Sequence, residues 1–199
     1  MEERMSKKRY PVRIPRFAAG IRAQEMRSGG GRSWWGMRWM AALEEMGLKG
    51  RLGRARNYAV GGQVVSVEVA GGDILAKVVG TRPDPYEVKL VFRRPEGACR
   101  RRIIDKIRAE PMLVARILAN DLPMEVAEIF SKEGFDLFPG KKLAPGKYDM
   151  TSSCSCPDWA NPCKHVTAVL LVLGEEVSRR PAMLLELRGI GEEDLCDED

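Results

Sequence analysis

Residues 154–165, CSCPDWANPCKH, carry the strongest structural signal in this chain. They gather three of the five cysteines and the single histidine of a 199-residue sequence into one short segment. Three thiolates and one imidazole make a complete tetrahedral ligand set for zinc, with no position left for water or substrate. Soft sulfur ligands also select zinc over magnesium or calcium. The spacing therefore predicts one structural zinc ion held by Cys154, Cys156, Cys163 and His165.

Two alternatives to a zinc site are structural thiols that lie together by chance and a redox disulfide pair. The spacing is not Cys-x-x-Cys, and a disulfide pair would leave the histidine without a role. Cys99 and Cys196 lie outside the cluster, where we expect ordinary small side chains. An odd number of cysteines with the ligands grouped indicates a reducing compartment. Because no apolar run reaches membrane-spanning length and no signal-peptide core is present, we expect a cytoplasmic protein.

The order of the ligands predicts the local structure of the zinc segment. Cys154 and Cys156 are two residues apart, which places them on the same side of an extended strand. Pro162 is at a position typical of a helix start, so we expect Cys163 and His165 in the first helical turn. The helix dipole and the free backbone N–H groups there should lower the pKa of the Cys163 thiol and strengthen metal binding.

Composition and periodicity divide the chain into four segments. These are a basic arm at 1–32, a helix plus antiparallel β subdomain at 33–95, a helical segment at 96–140 and a zinc-finger domain with an acidic tail at 141–199. The fold class that follows is α+β. We expect a small antiparallel sheet or partly open barrel with a leading helix, a helical middle segment and a C-terminal ββα-like zinc finger.

The second segment changes from a helical period to a strand period. Apolar residues recur on one helical face through 33–48, so core packing is favoured over base stacking for its tryptophans. Short valine-rich runs with alternating polarity then predict four strands, at 57–60, 63–70, 73–80 and 86–93. The apolar phase of these elements predicts a shared core of Trp35, Trp39, Val65, Val67, Ile74 and Val78.

Apolar stripes predict further helices downstream. Prolines at helix starts and a terminating glycine mark helices at 100–109, 111–120 and 123–133. A loop rich in proline and glycine is predicted at 139–150 and leads into the zinc segment. After the ligands, the pattern predicts a helix at 166–177 and a short one at 181–187.

The net charge of +5 is unevenly distributed along the chain. Basic residues predominate in 1–60 and acidic residues in 175–199, which predicts a basic front for phosphate and an acidic tail. The residues that we expect to contact phosphate are Lys7, Lys8, Arg9, Arg51, Arg54, Arg56 and Lys164. Alternatively, these charges form a solvated face, or the three arginines pair with Glu44, Glu45 and Glu68.

The pattern C-x-C, a short gap and C-x-H leading into an apolar helix resembles the SWIM zinc finger. The segments WWGMRWMAALEEMGLKGRLGRARNYAVGGQVVSVEV, ILAKVVGTRPDPYEVKL and LLELRGIGEEDL are similar to stand-alone prokaryotic proteins that carry this finger. The resemblance implies a module that binds DNA or other proteins and that is associated with Swi/Snf-class helicase-like ATPases. It implies no reaction.

The sequence offers no catalytic grouping either, because the single histidine is already assigned to zinc. We therefore expect a protein that is not an enzyme. The leading hypothesis is a zinc-binding adaptor that binds nucleic acid, DNA or RNA, mainly through phosphate contacts. The alternative is a protein-interaction subunit that docks on a Swi/Snf-class helicase-like ATPase or a ribonucleoprotein. In that case the acidic tail and the helices at 100–138 would form the contact surface.

Overall fold

The protein combines α-helices with two antiparallel β-sheets in a computed structural model that describes residues 15–16, 18–24, 33–140, 142–144, 147–158 and 160–196. The elements in chain order are α1 (Trp34–Glu45), α2 (Lys49–Val60), β1 (Val64–Ala70), β2 (Asp73–Val78), β3 (Tyr86–Phe92), α3 (Gly97–Arg108), α4 (Pro111–Leu118), α5 (Met124–Lys132), β4 (Lys142–Ala144), β5 (Lys147–Tyr148), β6 (Met150–Cys154), α6 (Lys164–Arg179) and α7 (Met183–Leu187). A 3-10 turn, Glu192–Asp194, follows. The predicted phosphate contacts in the arm, Lys7, Lys8 and Arg9, lie outside the described residues.

The larger sheet has the strand order β1-β2-β3-β6, and its neighbouring strands are antiparallel. Gly71 and Gly72 join β1 to β2 with positive φ at both positions, as a tight hairpin turn requires. The last strand, β6, pairs with β3 so that Val88 lies opposite Cys154. The predicted α+β class with a small antiparallel sheet is confirmed. The sheet is open rather than a barrel, because β1 and β6 form its two edges.

One of the four predicted strands is wrong, since residues 57–60 form the last turn of α2. The buried side chains of α2 recur at helical spacing and are Leu52, Ala55, Tyr58 and Ala59. Glycines and arginines between them obscure this stripe in the sequence, and the alternating run at its end resembles a strand. The fourth strand of the sheet is β6, which pairs with β3 at the edge opposite β1. The predicted loop at 139–150 contains the small sheet of β4 and β5.

Helix α6 lies at the centre of the core. Its residues 165–175 are all buried, and it packs against α1, α2 and one face of the larger sheet. Trp39 of α1 is fully buried and donates its indole N–H to the Leu170 carbonyl oxygen at 3.0 Å. Because α6 is enclosed by other elements, its sequence lacks the polar stripe of a surface helix. None of the helices in the described part of the chain has the length and apolar character of a bilayer span.

The predicted core is largely present. Five of its six residues contact the core, namely Trp35, Trp39, Val67, Ile74 and Val78. The prediction for Val65 is wrong, because its side chain is 37% exposed. The register of β1 against β2 shifts between Val64 and Ser66, so Val64 fills the buried position instead. At a bulge of this kind, one extra residue shifts the alternation of buried and exposed side chains along the strand by one position.

The acidic tail packs along α3. Arg100 donates hydrogen bonds to the Gly189 carbonyl oxygen at 3.0 Å and to the Asp194 carboxylate at 2.6 Å. Arg108 donates to the carbonyl oxygens of Asp194 and Cys196, each at 2.8 Å. The basic face of α3 therefore binds a tail of this same chain, and part of its positive charge is neutralised within the fold.

Arg188, in the turn after α7, is a cation enclosed in the core, with 1% of its side chain exposed. Its guanidinium donates to the carbonyl oxygens of Leu137, Arg93 and Phe138 at 3.1, 2.7 and 2.8 Å. It also pairs with the Asp149 carboxylate at 2.6 Å. Burial lowers the pKa of Arg188, and the Asp149 charge opposes that effect. This one side chain connects the end of β3, the segment after α5 and the residue preceding β6.

Candidate metal centre

The four predicted zinc ligands converge at one site. The ligand atoms of Cys154, Cys156, Cys163 and His165 all lie within 4.8 Å of one another. The Sγ atoms of Cys154 and Cys163 are each 3.8 Å from the Nδ1 atom of His165. Zinc bonds of about 2.3 Å to sulfur and about 2.0 Å to nitrogen place tetrahedral ligand atoms between about 3.5 and 3.8 Å apart. The cluster therefore fits one zinc ion, as the sequence predicts.

The sheet positions the first two ligands. Cys154 is the last residue of β6 and lies opposite Val88 of β3. Pairing continues one residue further, because the backbone N–H of Ser155 donates to the Glu87 carbonyl oxygen at 3.0 Å. The Ser155 hydroxyl in turn accepts from the Glu87 backbone N–H at 2.9 Å. Cys156 therefore comes directly after a strand end that two hydrogen bonds hold in place, and it is not part of a free loop.

The loop between the two ligand pairs is fastened to β6. The side-chain amide of Asn161 donates to the Ser152 carbonyl oxygen at 2.6 Å, and the Ser152 hydroxyl donates to the Asn161 Oδ1 atom at 2.8 Å. The Asp158 carboxylate accepts from the backbone N–H of Ala160 at 3.1 Å. These bonds return the chain to the strand, so that the second ligand pair meets the first.

Helix α6 positions the last two ligands, as the sequence predicts. Cys163 is the N-cap residue of α6 and is buried. Hydrogen bonds from the Cys154 thiol, from His165 and from the first backbone N–H groups of α6 lower the pKa of Cys163. The same thiol–thiolate bond, together with burial, raises the pKa of Cys154. A buried thiolate at a helix N-terminus is a strong metal ligand, because the helix dipole favours its negative charge.

Two tyrosines that the sequence did not single out enclose the histidine ligand. The ring of Tyr86 lies 4.5 Å from the His165 ring, and the ring of Tyr58 lies 5.2 Å from it, edge to face. Tyr58 also contacts Lys164, whose Nζ atom is 5.3 Å from the Tyr58 ring centre. Tyr58 belongs to α2, so this aromatic contact joins the basic helix to the zinc cluster. No short motif contains these tyrosines, and only their three-dimensional position reveals them.

The three arginines predicted to contact phosphate lie on α2, but they do not share one side of it. Arg51 and Arg54 are one turn apart, whereas Arg56 lies on the opposite flank with its Nε atom buried. Within the described ranges, none of the three forms an ion pair. Glu45, one of the proposed partners, pairs with Arg38 at 3.2 Å. By helical spacing, Arg51 and Arg54 lie on the flank of α2 that carries Tyr58, the residue that Lys164 contacts, whereas Arg56 lies on another flank.

The outer face of the larger sheet offers a broad, polar surface. It encloses a 630 Å³ depression whose outward-facing side chains are Ser66, Glu68, Leu75, Lys77, Glu87, Lys89 and Ser153. The described side chains that line it include no aromatic ring. Sheets that bind single-stranded nucleic acid stack bases on aromatic side chains. This face therefore lacks the feature that base stacking needs.

Comparison with known proteins agrees with the geometry. The family model of the SWIM zinc finger matches residues 147–174, which run from β5 through the ligands into α6. The chain is 34% identical over 189 residues to the uncharacterized protein Rv2102 of Mycobacterium tuberculosis. That alignment covers 93% of this chain but only 65% of the length of the relative. No solved structure matches the chain. Residues 147–174 are thus a SWIM zinc finger, with a cluster of three cysteines and one histidine that fits a single zinc ion.

Proposed function

We propose that this protein is a nucleic-acid-binding adaptor whose zinc finger holds the basic helix α2 in place. The observation that carries the proposal is the charge of α2, which contains one lysine, three arginines and no acidic residue. Arg54 is exposed and Arg51 is partly exposed, and neither has an acidic partner among the described residues. Cations on a surface without carboxylate partners favour an anionic partner such as a phosphate backbone.

Packing of α2 directs these arginines outward. Its buried residues Leu52, Ala55 and Ala59 face α6, the helix that begins at the zinc ligands. Arg51, Arg54 and Tyr58 follow one another at spacings of three and four residues, which places them along one flank of α2. Because Tyr58 contacts Lys164, this flank runs toward the zinc cluster.

Two glycines in α2 support the same proposal. A Cβ atom at Gly50 or at Gly53 would have no neighbour within 4 Å, so the fold itself requires no glycine there. Each glycine costs a helix about 1 kcal/mol relative to alanine. Both lie on the solvent side of α2, where the absence of side chains lets a phosphate backbone approach closely. Contact with an external partner would explain why α2 keeps two glycines that destabilise the helix.

We also propose that the protein is not an enzyme. The chain has one histidine, and its Nδ1 atom faces the thiols of the zinc cluster. A ligand set of three cysteines and one histidine is complete for tetrahedral zinc and leaves no open position for a substrate. In this proposal, zinc determines the position of α2 and takes no part in a reaction.

Fluorescence anisotropy with short DNA and RNA duplexes and single strands at low salt tests the proposal. Wild type should bind several unrelated sequences with similar affinity, and the affinity should fall steeply as salt increases. The double variant Arg51→Gln/Arg54→Gln should weaken binding equally for all of them and lower the log–log salt slope by about two units.

A matched control removes the same charge elsewhere. Arg101 on α3 and Lys132 on α5 are both exposed, so Arg101→Gln/Lys132→Gln should bind nearly as wild type does. Equal losses in both double variants would mean that only net charge matters. Absence of wild-type binding at micromolar protein concentration would refute the proposal.

Docking to a larger protein is the second candidate function. Met112 and Met124, in the helical segment, have 75% and 60% of their surface exposed. Exposed methionines are typical of surfaces that bind varied apolar partners. The partner class would be a helicase-like ATPase or a ribonucleoprotein. Capture from extract that persists after nuclease treatment and is lost in Met112→Ser/Met124→Ser would favour this function over nucleic-acid binding.

A further inference from the structure

A small cleft lies beside the zinc cluster, and two of the four ligand residues, Cys156 and His165, are in its lining. It has a volume of 270 Å³ and is bounded by residues 81–82 after β2, Tyr86, residues 156–158 of the ligand loop and residues 164–165 of α6. Three of its walls carry hydrogen-bond donors, namely the Thr81 hydroxyl, the Arg82 guanidinium and the Lys164 ammonium. The cleft is therefore donor-rich and large enough for a single phosphate group.

The two cations of the cleft are held by aromatic rings rather than by carboxylates. The Arg82 guanidinium lies 5.9 Å from the ring centre of Tyr86, and the Lys164 ammonium lies 5.3 Å from that of Tyr58. Neither cation forms an ion pair within the ranges that the structure describes. Cation–π contacts fix a positive group in position without neutralising its charge. Both charges thus remain available to an anion.

The histidine ligand adds a fourth donor, which is buried. Its Nδ1 atom faces the sulfur atoms, so in the metal complex the proton is on Nε2. His165 is 4% exposed, lines the cleft, and its Nε2 atom is buried without a hydrogen-bond partner among the described residues. A metal-bound histidine usually donates this second N–H to an oxygen acceptor. An oxygen that enters the cleft would supply one.

We propose that this cleft binds one phosphate group of the nucleic acid, which anchors the strand to the zinc finger while α2 contacts its neighbours. The inference rests on the proposed function. The flank of Arg51 and Arg54 leads through Tyr58 to Lys164, so one strand can reach both surfaces.

The cleft walls also carry negative charge, which makes the proposal sharper. Asp158 is in the lining and carries one negative charge, and the zinc cluster, which includes the Cys156 thiolate, carries about one more. Arg82 and Lys164 together only balance these groups. Loss of either cation would therefore leave the cleft with a net negative charge. Because the intact cleft has no net positive charge, a free phosphate ion should bind far more weakly than a phosphate within a strand.

The single histidine of the chain makes a direct test possible, because its Nε2–H gives one nitrogen-correlated NMR resonance. Zinc-loaded full-length protein is titrated with inorganic phosphate, and then with one oligonucleotide carrying either a 5′-phosphate or a 5′-hydroxyl. The resonance should shift strongly with the oligonucleotide and weakly with inorganic phosphate. A larger shift for the 5′-phosphate form identifies a terminal phosphate, and equal shifts identify an internal one.

The variant Arg82→Gln should weaken oligonucleotide binding about tenfold and reduce the histidine shift, with its zinc content unchanged. Arg101→Gln is the matched control and should alter neither quantity. An unmoved resonance at saturating oligonucleotide, with anisotropy still showing binding, would overturn the cleft assignment and leave the proposed function intact. If anisotropy detects no binding and the resonance does not move, both proposals fail.

Discussion

Replacing Arg188 with methionine should destabilise the protein far more than an average substitution. The variant keeps the apolar stem but removes the guanidinium, which leaves the Asp149 carboxylate charged, enclosed and without its 2.6 Å partner. Breaking a buried ion pair in this way costs about 3–5 kcal/mol. Three carbonyl oxygens lose a donor as well, although these losses are not additive. We expect a decrease of about 4 kcal/mol in the free energy of unfolding.

The second variant separates the charge effect from simple loss of packing. In Arg188→Met/Asp149→Asn the buried charge is absent. The Gly140 backbone N–H, which donates a hydrogen bond to the Asp149 carboxylate at 2.7 Å, can donate the same bond to the amide oxygen of the asparagine. The double variant should therefore recover about half of the lost stability. Urea unfolding of zinc-saturated protein, followed by circular dichroism, measures both differences. For a chain of this length, about 4 kcal/mol corresponds to a melting temperature lower by about 10 °C.

Two results would refute this reasoning. A loss below about 1 kcal/mol for Arg188→Met would mean that water or a rearranged side chain reaches Asp149. A double variant that is less stable than the single variant would mean that the carbonyl hydrogen bonds, rather than the buried charge, dominate the energy. The exposed pair of Arg116 and Asp121, at 2.7 Å, is a matched control, and Arg116→Met should leave the urea midpoint nearly unchanged.

Two further predictions concern the metal and α2. Purified protein should contain one zinc ion per chain, measured by mass spectrometry of the metal. The variant Cys156→Ser should lose this zinc, and its C-terminal part should unfold, because structural zinc sites supply folding energy. Full zinc retention in this variant would contradict the ligand assignment. Gly50→Ala/Gly53→Ala should raise the free energy of unfolding, measured in urea, by about 1–2 kcal/mol. The same variant should bind nucleic acid more weakly in the anisotropy assay. Stabilisation with unchanged binding would mean that the solvent side of α2 at these glycines is not part of the proposed interface.

Local features of this protein could be predicted from the sequence. The zinc ligands occupy one short segment, so their spacing alone restricts the geometry, and the structure brings them together. The strands β1, β2 and β3 follow from alternating polarity and from the glycine turn between the first two. In both cases the interactions that determine the structure join residues close together in the chain.

Long-range features could not be predicted in the same way. The pairing of Val88 with Cys154 joins residues far apart in the chain, and no local pattern specifies it. Helix α2 was not predicted, because its glycines and arginines leave only four buried positions in twelve residues and no clear apolar stripe. Arg188 resembles a surface residue by type, and only its enclosure by backbone carbonyl oxygens reveals a structural role. Burial of a charged side chain depends on the assembled fold, which the sequence pattern does not contain.

The central position of α6 has a consequence for synthesis of the chain. Helices α1 and α2 leave the ribosome before α6, but the surface that Trp39 needs is on α6, more than 100 residues later. At about 5–20 residues per second, the apolar faces of the first two helices wait roughly ten seconds for their partner. During that interval the nascent chain exposes tryptophan and leucine side chains to chaperones and to other chains. The zinc ligands follow α1 and α2 in the chain, so a cell short of zinc would accumulate chains in which these two helices are made but α6 cannot settle against them.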